Sequence, residues 1–187
     1  MSVFKAALFL LLAVNTAYFA IYGTASKGID ASAWLVLFVL FEAETSFGGR
    51  LSSARAKLAV RVLRLFAAAG VFAATIGYVF EDNALDAVNS ALWIAVVVLL
   101  ELELRLPQAA ARYRGALGTA AVALYGGLGV LVVLWALRGM WIDAYDAALW
   151  LTAFAAIELD LQRRSPNGSG LGCHSAAARP VNEQRET

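Results

Sequence analysis

The sequence predicts an all-α fold, a polytopic membrane bundle of six transmembrane helices built as three tandem two-helix hairpin repeats. Composition is the first observation: 61% of the residues are apolar and 16% are charged, against about 25% charged in a soluble domain, and the mean hydropathy is +0.69. The second is that the apolar residues fall into six blocks, each long enough at about 1.5 Å per residue to cross a hydrocarbon core about 30 Å thick. The third is a pattern that occurs three times. Trp34 to Glu44 reads WLVLFVLFEAE, Trp93 to Glu103 reads WIAVVVLLELE and Trp150 to Asp160 reads WLTAFAAIELD. In each copy one acid follows the Trp by eight residues and another by ten, and the Trp residues are 59 and 57 positions apart.

The six helices are expected at about 3–22, 31–47, 58–80, 86–106, 112–137 and 143–162, which places the repeats at about 3–47, 58–106 and 112–162. Together they make a membrane domain over 1–164, followed by a disordered polar tail over 165–187. The three prolines, Pro107, Pro166 and Pro180, all lie after helix ends, where they cost a helix nothing. The first block, with Lys5 ahead of it and Gly23 and Ala25 behind it, has the outline of a signal peptide. It is expected to be retained, since its loss would leave one Trp-acid helix without a hairpin partner. Three hairpins in tandem resemble the overall plan of the mitochondrial carriers, although the proline-centred motif of that family has no counterpart inside a helix of this chain.

Small residues recur at a spacing of four in two helices, Ala69, Ala73 and Gly77 in one and Gly115, Thr119, Ala123 and Gly127 in the other. Such rows are expected to bring helix backbones close together in a bilayer. Tyr18, Tyr22, Tyr78 and Tyr125 are read as interfacial anchors, and Asn15 and Thr75 as makers of local hydrogen bonds. Asp30, Asn89 and Asp146 each stand four residues before a repeat Trp and are read as helix caps. The Trp residues one turn further in are read as an aromatic belt.

Charge sets the expected orientation. Thirteen of the fifteen Lys and Arg residues fall on the side that holds both termini, leaving only Lys27 and Arg138 on the other. Basic residues in short loops mark the cytoplasmic face, so the protein is expected in the bacterial inner membrane with both termini cytoplasmic. The opposite side is acidic, with Asp30, Glu81, Asp82, Asp86, Asp143 and Asp146.

The only Cys and the only His, Cys173 and His174, lie in the tail, which excludes a disulfide framework and an intramembrane His or Cys metal site. No nucleophile arrangement falls within the helices, so no enzyme and no cofactor is expected, and no metal is assigned. The expected surroundings are the lipid bilayer and a membrane protein partner or second copy, with no nucleic acid. The recurring chemistry is the acid pair: Glu42 with Glu44, Glu101 with Glu103, and Glu158 with Asp160. Residues two apart on a helix point about 200° from each other. One acid of each pair should therefore face inward, and the deeper ones, Glu42, Glu101 and Glu158, are the expected set. A carboxylate in the bilayer costs about 2.5–3.5 kcal/mol on insertion scales. Either these acids form a cation or proton pathway, with Glu44, Glu103 and Asp160 secondary, or they pair with Arg50, Arg105, Arg112, Arg163 or Arg164 in a non-catalytic membrane subunit or assembly protein.

Overall fold

The computed structural model describes the backbone of residues 3–47 and 53–164 and the side chains of residues 4–44, 53–103 and 105–156. The tail that holds Cys173 and His174, and Arg50, lie outside the described residues. Among these residues the fold is all-helical, with α1 Val3–Tyr22, α2 Ala25–Phe47, α3 Ala54–Phe80, α4 Ala84–Arg105, α5 Pro107–Arg112, α6 Arg114–Leu137 and α7 Trp141–Arg164. Within α1, α3, α4 and α6 lie segments long and apolar enough to cross a membrane. The sequence predicted six such spans. The other two long helices, α2 and α7, carry the charges that dilute their apolar character: Lys27, Asp30, Glu42 and Glu44 in one, Asp143, Asp146, Glu158 and Asp160 in the other.

Consecutive long helices pack side by side, and α1 packs against α7, so the chain closes a ring in the order α1, α2, α3, α4, α6, α7. Short turns join α1 to α2, α3 to α4 and α6 to α7, all at the acidic end. The outer surface is apolar, with Phe80 85% and Val122 75% exposed. A surface of that kind is suited to lipid rather than to water.

The helices of the acidic end start earlier than expected, which moves several residues from caps into helix interiors. Thr24 Oγ1 accepts from the Lys27 backbone N–H at 3.3 Å, starting α2 six residues ahead of its predicted onset and placing Asp30 in the second turn. Asn83 caps α4, its side chain accepting from Asp86 N at 3.4 Å. Asn89 and Asp146 are likewise interior. At the basic end Ser53 caps α3 by accepting from Ala56 N at 3.1 Å, and Pro107 opens α5, where its missing N–H is no loss.

The small-residue rows pack differently from the expectation. Ala69, Ala73, Gly115, Thr119 and Ala123 are exposed, and the covered face of α3 is Ala67, Val71, Ala74 and Tyr78. Gly77 does make a close approach, since a Cβ there would stand 2.2 Å from Ser26 Oγ. Ser26 Oγ donates to Glu81 at 2.7 Å and Thr24 Oγ1 donates to the same carboxylate at 2.8 Å. These two bonds clamp the α1–α2 turn to the α3–α4 turn and hold the exposed Glu81 carboxyl below the usual glutamate range. Gly77→Ala should force Ser26 off Glu81 and lower stability by about 1–3 kcal/mol. Gly77→Ala added to Ser26→Ala should cost less than the sum of the two changes, a non-additivity that thermal melts of the four proteins in detergent would detect.

Candidate cation site at the acidic end of the ring

The three repeat Trp residues meet inside the ring. Trp93 and Trp150 are 4% and 6% exposed, and the Trp34 ring centroid lies 6.3 Å from that of Trp93 and 6.5 Å from that of Trp150. Phe154 lies tilted against Trp93, ring centroids 4.7 Å apart, and Phe38 meets Trp150 edge-on at 5.8 Å. The belt expectation is thereby corrected. A Trp one turn inside a helix suits either a headgroup belt or a bundle interior, and the choice depends on the face it occupies. Here Leu12, Val96, Leu128 and Ala153 continue the same buried cluster below it.

Above this aromatic floor, toward the acidic end, is a cavity of about 40 Å³. Four carboxylates line it, those of Asp30, Asp86, Asp143 and Asp146, together with one ammonium, that of Lys27. Lys27 Nζ donates to Asp143 and lies 3.2 Å from Asp86, with the Phe19 ring centroid 5.5 Å away. Asp86 is held further by the Asn83 amide. Asp30 accepts from the Tyr78 hydroxyl at 3.1 Å, and Asp146 accepts from the Asn15 amide. Two tyrosine and asparagine expectations are corrected by these bonds. Tyr78 is 3% exposed and is no interfacial anchor, and Asn15 reaches across the α1–α7 contact rather than along its own helix. Thr75 does bond locally, to Val71 O at 2.8 Å, and also meets Ser90 Oγ at 2.6 Å.

Lys27 serves both Asp86 and Asp143, while Asp30 and Asp146 have only neutral donors. A buried carboxylate without a countercharge costs several kcal/mol, which a proton or a cation in the cavity would relieve. The N-termini of α2, α4 and α7 all point toward this end, and their dipoles offset part of that cost. Three buried polar atoms on the lining lack a hydrogen-bond partner among the described residues: Asp30 Oδ1, Asn89 Oδ1 and Trp135 Nε1. No three His, Cys, Asp or Glu side chains among the described residues come together in an arrangement able to hold a metal ion.

The acids singled out by the sequence lie at the opposite, basic end. Glu42 is largely covered, its side chain 14% exposed and 3.6 Å from Lys5 Nζ. Glu44 accepts from Arg64. Glu101 lies on the outer surface, its side chain 51% exposed and bonded to Arg105 one turn on. Glu103 is exposed, and the side chains of Glu158 and Asp160 lie outside the described residues. The sequence reading took Lys27, Asp86 and Asp143 as loop charges; they stand seven residues before Trp34, Trp93 and Trp150. It took Tyr78 as an anchor and left out Phe19 and Trp135; these three stand fifteen residues before the same Trp residues. All six line the cavity, and their shared offsets were the signal that marked them.

Fold and site together define a class: a helical, membrane-type bundle with a buried carboxylate cluster. The chain matches no known protein family, no curated protein and no solved structure.

Proposed function

We propose that the protein is an inner-membrane channel or transporter for protons or small cations, made of six spans in three pseudo-equivalent hairpins with both termini cytoplasmic. The observation that carries this reading is the set of four buried carboxyl groups around a cavity inside the helix ring, two of them without a cationic partner, since intramembrane carboxylates mark ion and proton paths. Support for the triplicated plan comes from the lining, where the residues four, seven and fifteen positions before each Trp all contribute. On this reading Asp30, Asp86, Asp143 and Asp146 form the outward half of the path. Of the recurring acids at the cytoplasmic end, the covered Glu42 continues the path on this reading, with Glu158 as its counterpart on α7, while Glu101 on the outer surface stands off it.

Purified protein in liposomes should dissipate a proton or monovalent-cation gradient. The variant carrying both Asp30→Asn and Asp146→Asn should abolish that flux while keeping its elution volume and helical content. Unchanged flux in the folded double variant would overturn the reading. In the same assay, loss of flux on changing Glu42 and Glu158 together to Gln would place those acids on the path.

A second reading, a non-catalytic membrane subunit, is favoured by one observation, the Glu44–Arg64 and Glu101–Arg105 pairs at the basic end. They use two of the recurring acids structurally. A stoichiometric partner on purification, with no flux from the isolated protein, would establish it.

A further inference from the structure

Resting on the reading of the cavity as a cation site, we infer that its ligand is a cation bearing N–H donors, ammonium or the head of a small primary amine, rather than an alkali metal ion. Four features of the lining lead there. Asp30, 9% exposed, presents Oδ1 to the cavity without a partner, and Asn89 presents a second unpartnered acceptor. Both need a donor, and a buried acceptor left without one costs about 1–3 kcal/mol. The floor beneath them is made of indole rings, whose faces attract cations, Trp most strongly of the aromatic side chains.

The third feature is the geometry of the acids. They stand on three helices, α2, α4 and α7, and are held by Tyr78, Asn15, Asn83 and Lys27. A metal ion needs several oxygens converging at coordination distance, and among the described residues no three acidic side chains converge in that way. Directed N–H bonds to acceptors that stand apart need no convergence. The fourth feature is Lys27. Its primary ammonium already sits in one corner of this lining, between Asp86, Asp143 and the Phe19 ring, so the chain itself displays the chemistry that the lining accepts. The lining has acceptors for a second such cation, because Asp30 and Asp146 meet only neutral donors.

Size agrees with this assignment. A water-sized particle needs about 10–15 Å³ of such volume, and the cavity offers about 40 Å³. Ammonium or methylammonium fits, and ammonium leaves room for a water that accepts from Trp135 Nε1. Bulky amines do not.

Four of the five Trp residues line the site, so the intrinsic fluorescence of the detergent-purified protein reads binding directly. Ammonium and methylammonium chlorides should produce a saturable change. Potassium chloride at equal ionic strength, a cation of ammonium's size without N–H donors, should produce none. Asp30→Asn should weaken methylammonium binding by about tenfold or more, the effect of one charge-assisted hydrogen bond. Asn89→Leu, which removes the other acceptor, should weaken it as well. Asp82→Asn, on the exposed α3–α4 turn, should bind as the parent does, and melting curves show which variants are folded. Equal saturable changes with potassium or sodium would overturn the inference. So would the absence of any change with the amines, or undiminished binding in folded Asp30→Asn and Asn89→Leu variants. Proton flux in liposomes without amine binding would sink this inference and leave the transport reading standing. Amine binding without flux of any ion would do the reverse.

Discussion

Lys27→Met should destabilise the protein by about 3–5 kcal/mol, the cost of breaking a buried ion pair by removing one partner. Lys27 is the one basic side chain on the cavity lining, and it stands between two carboxylates whose side chains are 8% and 14% exposed. Met preserves the length of the side chain and most of its packing, so the loss isolates the charge. Asp86 and Asp143 would then face each other, Asp30 and Asp146 without any countercharge in the cavity. At about 2–4 °C per kcal/mol for a chain of this size, the melting temperature in detergent should fall by roughly 10 °C. Lys27→Arg should retain most of the stability. Asp143→Asn combined with Lys27→Met should recover part of what Lys27→Met loses, because removing a negative charge relieves the uncompensated pair. A Lys27→Met protein that melts with the parent would mean that this triad is not charged in the folded state.

The second large effect is expected at Trp93. Its ring is 4% exposed, lies 4.7 Å from Phe154 and 6.3 Å from Trp34, and joins the hydrophobic cluster to the cavity floor. Trp93→Ala should cost about 3–5 kcal/mol by opening a void in the ring. Within a bilayer the loss comes mainly from packing, since lipid offers no hydrophobic drive between helices. Trp141→Ala is the control, because Trp141 is 69% exposed and its removal should leave the melt within about 0.5 kcal/mol of the parent. Two melts side by side thus separate a structural Trp from an interfacial one. Equal losses would refute the assignment of Trp93 to the interior.

The two ends of the molecule show how far the sequence could be read. Helix existence was legible almost throughout, because apolar blocks of that length admit little else. Helix starts at the acidic end were not, since Thr24 and Asn83 act as caps through side-chain geometry that many polar residues can adopt. That error of a few residues mattered. It turned Asp30, Asn89 and Asp146 from interior residues into caps, and so the acid pairs at the other end took their place as the candidate path. The inward or outward direction of Glu101 likewise depends on rotation about the helix axis. Two residues apart means opposite faces, but only packing says which face is which: Trp93 and Val96 take the buried face of α4, and Glu101 is left outside beside Arg105.

By itself the sequence determined an apolar, helical chain with a recurring Trp-acid pattern and an uneven distribution of basic and acidic residues between its loops. These are properties of composition and spacing, and they survive any rotation of one helix against the next. The tertiary structure decided where the pattern converges. Lys27 and Asp143 are 116 residues apart, as Asn15 and Asp146 are 131 apart, and no local rule pairs residues at such separations. Closure of the ring by α1 against α7 brings them into one cavity, where burial leaves Asp30 and Asp146 with neutral donors alone and turns scattered loop-side acids into one site.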